Sequence, residues 1–118
     1  MESLSRVEII MNVSKTNQLR KALGKFGISG MTVFKVSGCG VQNGTQEYEA
    51  EQKEEPTLIE KDMVMLVMPT KDVDDFIDYV MEELYTGHIG DGKIFVSDVS
   101  NVIRVRTGDE GYEAVVEH

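Results

Sequence analysis

The chain has 118 residues, one cysteine and a formal net charge of −9, from 12 basic and 21 acidic side chains. This length predicts a single domain over residues 1–118 that can bury an apolar core without disulfides or bound metals. The single cysteine, Cys39, excludes an intrachain disulfide and fits a reducing compartment. The acidic balance argues against general nucleic-acid binding. With no signal-peptide pattern and no apolar run longer than Met63–Met68, we expect a cytoplasmic protein without membrane insertion.

The first third of the chain predicts a strand, a helix and a second strand. Residues 7–13 and 31–37 are apolar and β-branched enough to form strands. Between them, apolar residues recur at the helical spacing i, i+3, i+4 and i+7, at Leu19, Ala22, Leu23 and Phe26. The candidate caps for this helix are Ser14, Thr16 and Asn17, and its candidate ends are Gly27 and Gly30.

An acidic segment without an apolar face follows the second strand. Residues 45–62 hold seven acidic side chains and two lysines. We predict a long loop over about residues 41–60. Long loops inside compact domains are uncommon and usually functional, although a solvated insertion without function is the alternative.

The second half repeats the order strand, helix, strand. Met63–Met68 is continuously apolar, which predicts a central strand covered on both faces. Thr70 or Asp72 can cap the next helix, whose apolar stripe consists of Val73, Phe76, Ile77, Val80, Met81 and Leu84. Residues 93–98 and 101–106 predict one or two further strands.

Two β-α-β halves, with a long loop between strands 2 and 3, predict an α+β fold, a ferredoxin-like βαββαβ sandwich. In such a fold the helices cover one face of the sheet and leave the other bare. Apolar strand residues on a bare face predict self-association. The acidic tail of about residues 109–118 is expected to be loosely held.

The segment Thr86–Gly108 reverses the acidic balance, since three basic side chains there face two acidic ones. Its Gly90–Lys93 stretch (GDGK) can turn backbone N–H groups toward one anion, and Lys93 adds a charge; a plain Asp-Gly turn is the alternative. On a strand, Arg104 and Arg106 would point to the same side, and arginine suits bidentate phosphate contact. Solvated or ion-paired arginines are the alternative.

A second glycine-rich segment, Ser37–Gly44 (SGCGVQNG), would let the backbone approach a ligand. It matches neither a Walker A loop nor the dinucleotide fingerprint. No catalytic set is visible, because His88 and His118 have no suitably spaced partner and Cys39 is more simply a small filler residue. Metal ligation by side chains alone is not expected. Together the glycine turns and basic residues predict a site for the phosphates of a nucleotide.

The stretches GISGMTVFKVSGCGVQNG (27–44) and TGHIGDGKIFVSDVSNVIRVRTG (86–108) resemble the PII signal-transduction proteins. The second is the more specific, and the resemblance runs through nearly the whole chain, weakest in the first strand and the long loop. It implies a homotrimer with ATP or ADP in the clefts between subunits. It also implies a regulator, not an enzyme, whose long loop (the T-loop of that family) grips a partner transporter or metabolic enzyme.

The resemblance also implies roles by position. The phosphates would be cradled by Gly90, Asp91, Gly92 and Lys93 and clamped by Arg104 and Arg106. Contacts near the base would come from Thr32 and Val67, and contacts at the loop base from Gly40, Val41 and Gln42. Bound 2-oxoglutarate would be held by Gln42, through Mg²⁺ brought with ATP, and by Lys61, through a carboxylate.

Three departures from the family pattern shape the functional expectation. Val41 stands where many members have arginine, which should narrow the preference for ATP over ADP. Glu54 stands where some members have a modified tyrosine, while Tyr48 lies elsewhere in the partner-binding loop, so uridylylation is not expected. The first strand ends in MNVSK instead of a KPFK-like stretch, which should weaken 2-oxoglutarate binding.

These departures favour an energy-state sensor that reads ATP and ADP. The alternative within the same class is a full carbon/nitrogen sensor that binds ATP, Mg²⁺ and 2-oxoglutarate and regulates nitrogen metabolism or ammonium transport. Two other classes stay open: a slow nucleotide hydrolase, and a structural trimer whose glycine turns bind nothing.

Overall fold

The computed structural model describes residues 2–28, 30–39, 58–87 and 91–116. Within them the chain forms, in order, β1 (Leu4–Asn12), α1 (Thr16–Phe26), β2 (Thr32–Cys39), β3 (Leu58–Pro69), α2 (Val73–Leu84), β4 (Lys93–Val99) and α3 (Tyr112–Val115). A single 3₁₀ turn precedes each long helix, at Val13–Lys15 and at Thr70–Asp72. In the described part of the chain, no helix combines the length and apolar character needed to cross a membrane.

The strands form one antiparallel sheet in the order β2-β3-β1-β4. This order and the two helices confirm the predicted ferredoxin-like α+β sandwich. The apolar core lies between the sheet and α1 and α2, and it consists of Val7, Ile9, Met11, Leu19, Leu23, Val64, Leu66, Met68, Val73, Phe76, Val80 and Leu84. Gly27 ends α1 in the left-handed conformation, with φ of 101°.

The central apolar strand is fully buried on one face only, whereas the sequence predicted burial on both faces. Met63–Met68 lies inside β3, next to β1 and β2, so its central position is confirmed. Val64, Leu66 and Met68 are buried toward the helices, whereas Met63 and Met65 are half-buried on the opposite side. We call that opposite side the open face. Paired residues on neighbouring strands point to the same side of a sheet. Phe34 and Ile10 both pair with Met63, so they also lie on the open face.

The start of α1 also differs from the predicted capping. No side chain caps the helix, and Thr16 instead donates a hydrogen bond from its hydroxyl to Asp62 Oδ2 at 2.5 Å. Asp62 also accepts a hydrogen bond from Lys35 Nζ at 2.8 Å. This cluster joins α1, β2 and β3 within the sheet, where Asp62 pairs with Lys35.

Of the one or two further strands predicted over residues 93–98 and 101–106, the first forms as β4 and the second does not. Only an isolated bridge pairs Ile103 with Glu110, and residues 105–107 form a turn closed by a hydrogen bond from Gly108 N to Arg104 O at 2.7 Å. Residues 109–116, which are most of the predicted acidic tail of about 109–118, complete this hairpin and form the short helix α3, and residues 117–118 lie outside the described residues.

Candidate functional site

The backbone just before β4 can accommodate only glycine at residue 92. Gly92 has φ of +112°, and a Cβ there would lie 2.2 Å from the carbonyl oxygen of Ile10 on the neighbouring strand. Real Cβ atoms do not approach backbone so closely, and side-chain-bearing residues rarely adopt this φ. The glycine therefore lets the loop enter β4 against β1, which fixes the position of Lys93.

The carboxylate of Asp91 shapes this loop. It accepts hydrogen bonds from the backbone N–H groups of Thr86 at 2.9 Å and Gly87 at 3.0 Å, and from the Thr86 hydroxyl. A carboxylate used in this way closes the segment between α2 and β4, and its charge repels phosphate. The geometry therefore fits Asp91 as a positioning residue rather than as a direct phosphate ligand.

Two lysines lie together on the open face, toward the end of the sheet where β2 ends and β3 begins. Lys93 pairs with Ile10 and Lys61 pairs with Asn12, so the two lysines occupy neighbouring rows on the same side of the sheet. Lys93 is exposed, and no ion pair or hydrogen bond holds its side chain within the described residues. Lys61 is buried and donates a hydrogen bond to Asn12 Oδ1 at 2.6 Å, and burial lowers the pKa of its amine.

The two arginines differ in their surroundings. Arg104 donates hydrogen bonds from Nη2 to the carbonyl oxygens of Val116 at 2.6 Å and Ala114 at 3.4 Å, and its Nη1 lies 3.6 Å from Asp109 Oδ2. Arg106 is exposed, and the structure gives its side chain no polar partner among the residues that it describes. The predicted alternation of the two arginines along a strand is wrong, because Arg104 precedes the turn of residues 105–107 and Arg106 lies within it.

The arginines do not meet Lys93 within one chain. Lys93 begins β4, whereas Arg104 follows its other end, and six residues of strand at ~3.3 Å each separate the two ends by about 20 Å. The hairpin that carries the arginines packs through α3 near the end of β3, which is opposite the end that begins at Leu58. A single chain therefore keeps these basic side chains apart, with Lys93 in one half and the two arginines in the other.

Thr32 and Val67 lie on the arginine-bearing half. Both belong to the open face, since Thr32 pairs with Met65 and Val67 pairs with Arg6. Val67 also lines a cleft of about 410 Å³ whose wall includes Gly30, Tyr112 and Val116.

Comparison with known proteins identifies the fold's family. The family model described as nitrogen regulatory protein P-II matches residues 4–109. The nitrogen regulatory protein P-II of Cyanidium caldarium is 40% identical over 111 residues, which cover 94% of this chain and 98% of the relative. The nitrogen regulatory protein P-II 1 of Escherichia coli (strain K12) is 38% identical over 112 residues, covering 95% of this chain and all of the relative.

The chain belongs to the P-II family. Two solved structures share this fold. One is a GlnK–ATP complex of B. subtilis, with a TM-score of 0.79 and 34% identity over 97% of this chain and 98% of that one. The other is Arabidopsis thaliana PII bound to citrate, also with a TM-score of 0.79 and 34% identity, over 100% of this chain and 94% of that one.

Several positions singled out in this P-II chain lie outside the described residues. They are Gly40, Val41, Gln42, Tyr48, Glu54 and Gly90, and their roles stay predictions. Among the residues that the structure describes, no group of three or more His, Cys, Asp or Glu side chains could hold a metal ion.

Sequence reasoning missed two polar contacts of this P-II chain. It did not predict the hydrogen bond from Lys61 to Asn12, nor the hydrogen bond from Arg104 to the carbonyl oxygen of Val116. Both join residues whose proximity depends on strand register or on a hairpin. The first had a partial signal in the unusual MNVSK strand end, whereas main-chain carbonyls leave no signal in the sequence.

Proposed function

We propose that this P-II family member is a regulatory homotrimer that binds ATP or ADP in the clefts between its chains and controls a partner transporter or enzyme through the segment between β2 and β3. The predicted loop over about residues 41–60 is shorter at its end, because β3 begins at Leu58. The observation that carries the proposal is the separation of the basic site into two halves. Gly92 and Lys93 occupy one end of β4, and Arg104 and Arg106 lie beyond the other. Neighbouring chains in a trimer would bring the two halves together around one set of phosphates.

The open face supports the same assembly. Ile10, Phe34, Met63, Met65 and Phe95 lie on it, and Phe95 is 48% exposed in the single chain. Glu8, which is ion-paired with Arg6 at 3.7 Å, lies between Met65 and Phe95 on the same face. Exposed apolar side chains around such a pair favour burial against another copy. The GlnK relative of B. subtilis, solved with ATP, supports an adenine nucleotide as the ligand.

Regulation would follow from a difference in affinity between loop states. A ligand shifts the loop only if it binds one loop conformation more tightly than another. ATP and ADP differ by the outermost phosphate, and Lys93 and Arg106 are exposed cations that can contact phosphates. Mg²⁺ would accompany ATP, and the role is that of a sensor without catalytic turnover.

The energy-state version of this function is supported by the contact between Asn12 and Lys61. The ammonium of Lys61 is already hydrogen-bonded at 2.6 Å and lies in a buried position. A carboxylate ligand would have to compete with that contact. We therefore propose that 2-oxoglutarate contributes little to nucleotide affinity.

A full carbon/nitrogen sensor is the second candidate. Lys61 and Lys93 lie on the same side of the sheet, and an Arabidopsis thaliana relative was solved with citrate, which is also a carboxylate. In this version 2-oxoglutarate would bind with Mg²⁺ and ATP and reach Lys61.

Calorimetric titration with ATP and with ADP, each with and without Mg²⁺ and 2-oxoglutarate, tests the proposal. Similar ATP and ADP affinities that ignore 2-oxoglutarate are the expected result. Tighter ATP binding only when Mg²⁺ and 2-oxoglutarate are both present would establish the second candidate. Absence of binding to wild-type protein, or unchanged binding by Arg106→Ala, would contradict the assigned site.

A further inference from the structure

The C-terminal tail, which we define as residues 109–116, folds back onto Arg104. The guanidinium donates to the carbonyl oxygens of Val116 at 2.6 Å and Ala114 at 3.4 Å, and Asp109 lies 3.6 Å away. The Arg104 side chain keeps only 20% of its surface exposed, whereas Arg106 is exposed. The tail thus accepts hydrogen bonds from the guanidinium of Arg104, whereas Arg106 makes no such contact with the described part of the tail.

The tail is held in place by further contacts. The Gly111 N–H donates to Val102 O at 2.9 Å and to Asn101 Oδ1 at 3.2 Å, and Asn101 donates to Glu110 Oε1 at 2.8 Å. Gly111 has φ of 64° and ψ of −136°, a conformation that is accessible mainly to glycine. These contacts direct the following residues across the end of the sheet.

The same tail contacts the surface around Val67, a residue that is predicted to lie near the nucleotide base. Val116 and Tyr112 line the cleft of about 410 Å³ together with Gly30 and Val67. Tyr112 is further positioned by Lys71, whose Nζ lies 6.0 Å from the ring centroid. The tail therefore touches both the arginine and the surface that a nucleotide would use on this half of the site.

We propose that the tail is an intramolecular latch that competes with nucleotide phosphates for Arg104. The inference rests on the proposed function, because it concerns access to the same site. A guanidinium grips phosphate through a planar fork of N–H donors, and that fork already points at tail carbonyls and a carboxylate. Nucleotide bound through Arg104 would release the tail. Because only chains with an undocked tail offer Arg104, the apparent nucleotide affinity equals the intrinsic affinity multiplied by the fraction of chains whose tail is undocked.

Deletion of Tyr112–His118 tests the latch. Because a hydrogen bond to a charged group is lost with the tail, we expect ATP and ADP to bind about tenfold more tightly to the shortened chain. Gly111→Ala keeps the tail at full length but disfavours its docked path, and it should give a smaller gain. Glu113→Gln with Glu117→Gln removes the acidic side chains of the deleted segment while keeping its carbonyls, and it should leave affinity within about twofold of wild type.

Equal or weaker nucleotide binding by the shortened chain would overturn the latch. Hydrogen exchange on nucleotide-free protein separates this outcome from failure of the proposed function. In Arg104→Ala, the backbone amides of Ala114 and Val116 should exchange faster than in wild type, whether or not any form binds nucleotide. No binding by any form would refute the proposed function, and unchanged exchange in Arg104→Ala would refute the latch itself.

Discussion

Gly92 is the residue on which the loop before β4 depends. We expect Gly92→Ala to destabilise the fold by about 1–3 kcal/mol, because the new Cβ meets the Ile10 carbonyl and the backbone is strained. It should also weaken nucleotide binding, since Lys93 moves with the loop. Urea unfolding and calorimetry measure the two effects.

The matched control is Gly108→Ala. Gly108 also has a positive φ, of +76°, but nothing lies within 4 Å of the position that a Cβ would occupy there, so only backbone strain is added. If both variants lost the same unfolding free energy, steric contact with Ile10 would not be what requires glycine at residue 92.

The backbone conformation at a glycine and the exposure of a lysine were easier to predict than the contacts that polar side chains make. GDGK by itself indicates a special backbone and a free lysine, and Gly92 and Lys93 have those properties. The use of Asp91 as a loop brace did not follow from the sequence, because its partners Thr86 and Gly87 are backbone donors in a turn. Arg104 was likewise expected to face a ligand, yet its partners are carbonyl groups.

At the scale of elements, a buried carboxylate joins two strands and a helix. Asp62 is 2% exposed and accepts hydrogen bonds from Lys35 on β2 and Thr16 at the start of α1. The bond from Lys35, followed by that from Thr16, holds the pKa of Asp62 below its ordinary value despite the opposing effect of burial. The cluster is thus a pH-dependent source of stability.

We expect Asp62→Asn to lower the free energy of unfolding by about 1–3 kcal/mol at neutral pH, because it removes a buried charged acceptor from the hydrogen bonds of Lys35 and Thr16. A depressed folded pKa stabilises the fold above the unfolded pKa of about 3.9, and that stabilisation is lost as pH falls through the folded value. The difference from wild type should therefore stay constant from neutral pH to about pH 5 and shrink below about pH 4. Urea unfolding across this range measures it.

Asp98→Asn provides the control, since Asp98 is an exposed acid on β4. Its effect should stay within about 0.5 kcal/mol at every pH. A difference between wild type and Asp62→Asn that grew on acidification would contradict the assigned role of Asp62.

Elements with a strong periodic pattern were predictable, and the hairpin was not. The apolar stripes of α1 and α2 and the run in β3 each form the predicted element, although Met81 of α2 is exposed and β3 is fully buried on one face only. VIRVR alternates like a strand, but within the described part of the chain it has no strand beside it except at the Ile103 bridge to Glu110. Val105 is 99% exposed there, so the alternation has no face to bury.

For the whole molecule, the open face predicts assembly. Met65 lies on that face in the middle of the sheet, and Met65→Asp should prevent trimer formation while leaving the helix-side core intact. Met81→Asp is the matched control, because Met81 is 56% exposed on α2 outside this face. Light scattering after size exclusion should give a trimer for the control and one chain for Met65→Asp. Retention of the trimer by Met65→Asp would contradict assembly through the open face.

The most direct test of the composite site mixes two defective chains. Lys93→Ala lacks one half of the site, and Arg104→Ala with Arg106→Ala lacks the other, so neither homotrimer should bind ATP. In a mixed trimer, whichever chain is in excess, one cleft combines an intact Lys93 with intact arginines from its neighbour. Calorimetry on mixed trimers, isolated through two different tags, should therefore show one ATP site per trimer. Absence of binding by mixed trimers, or wild-type binding by either homotrimer, would contradict a nucleotide site shared between chains.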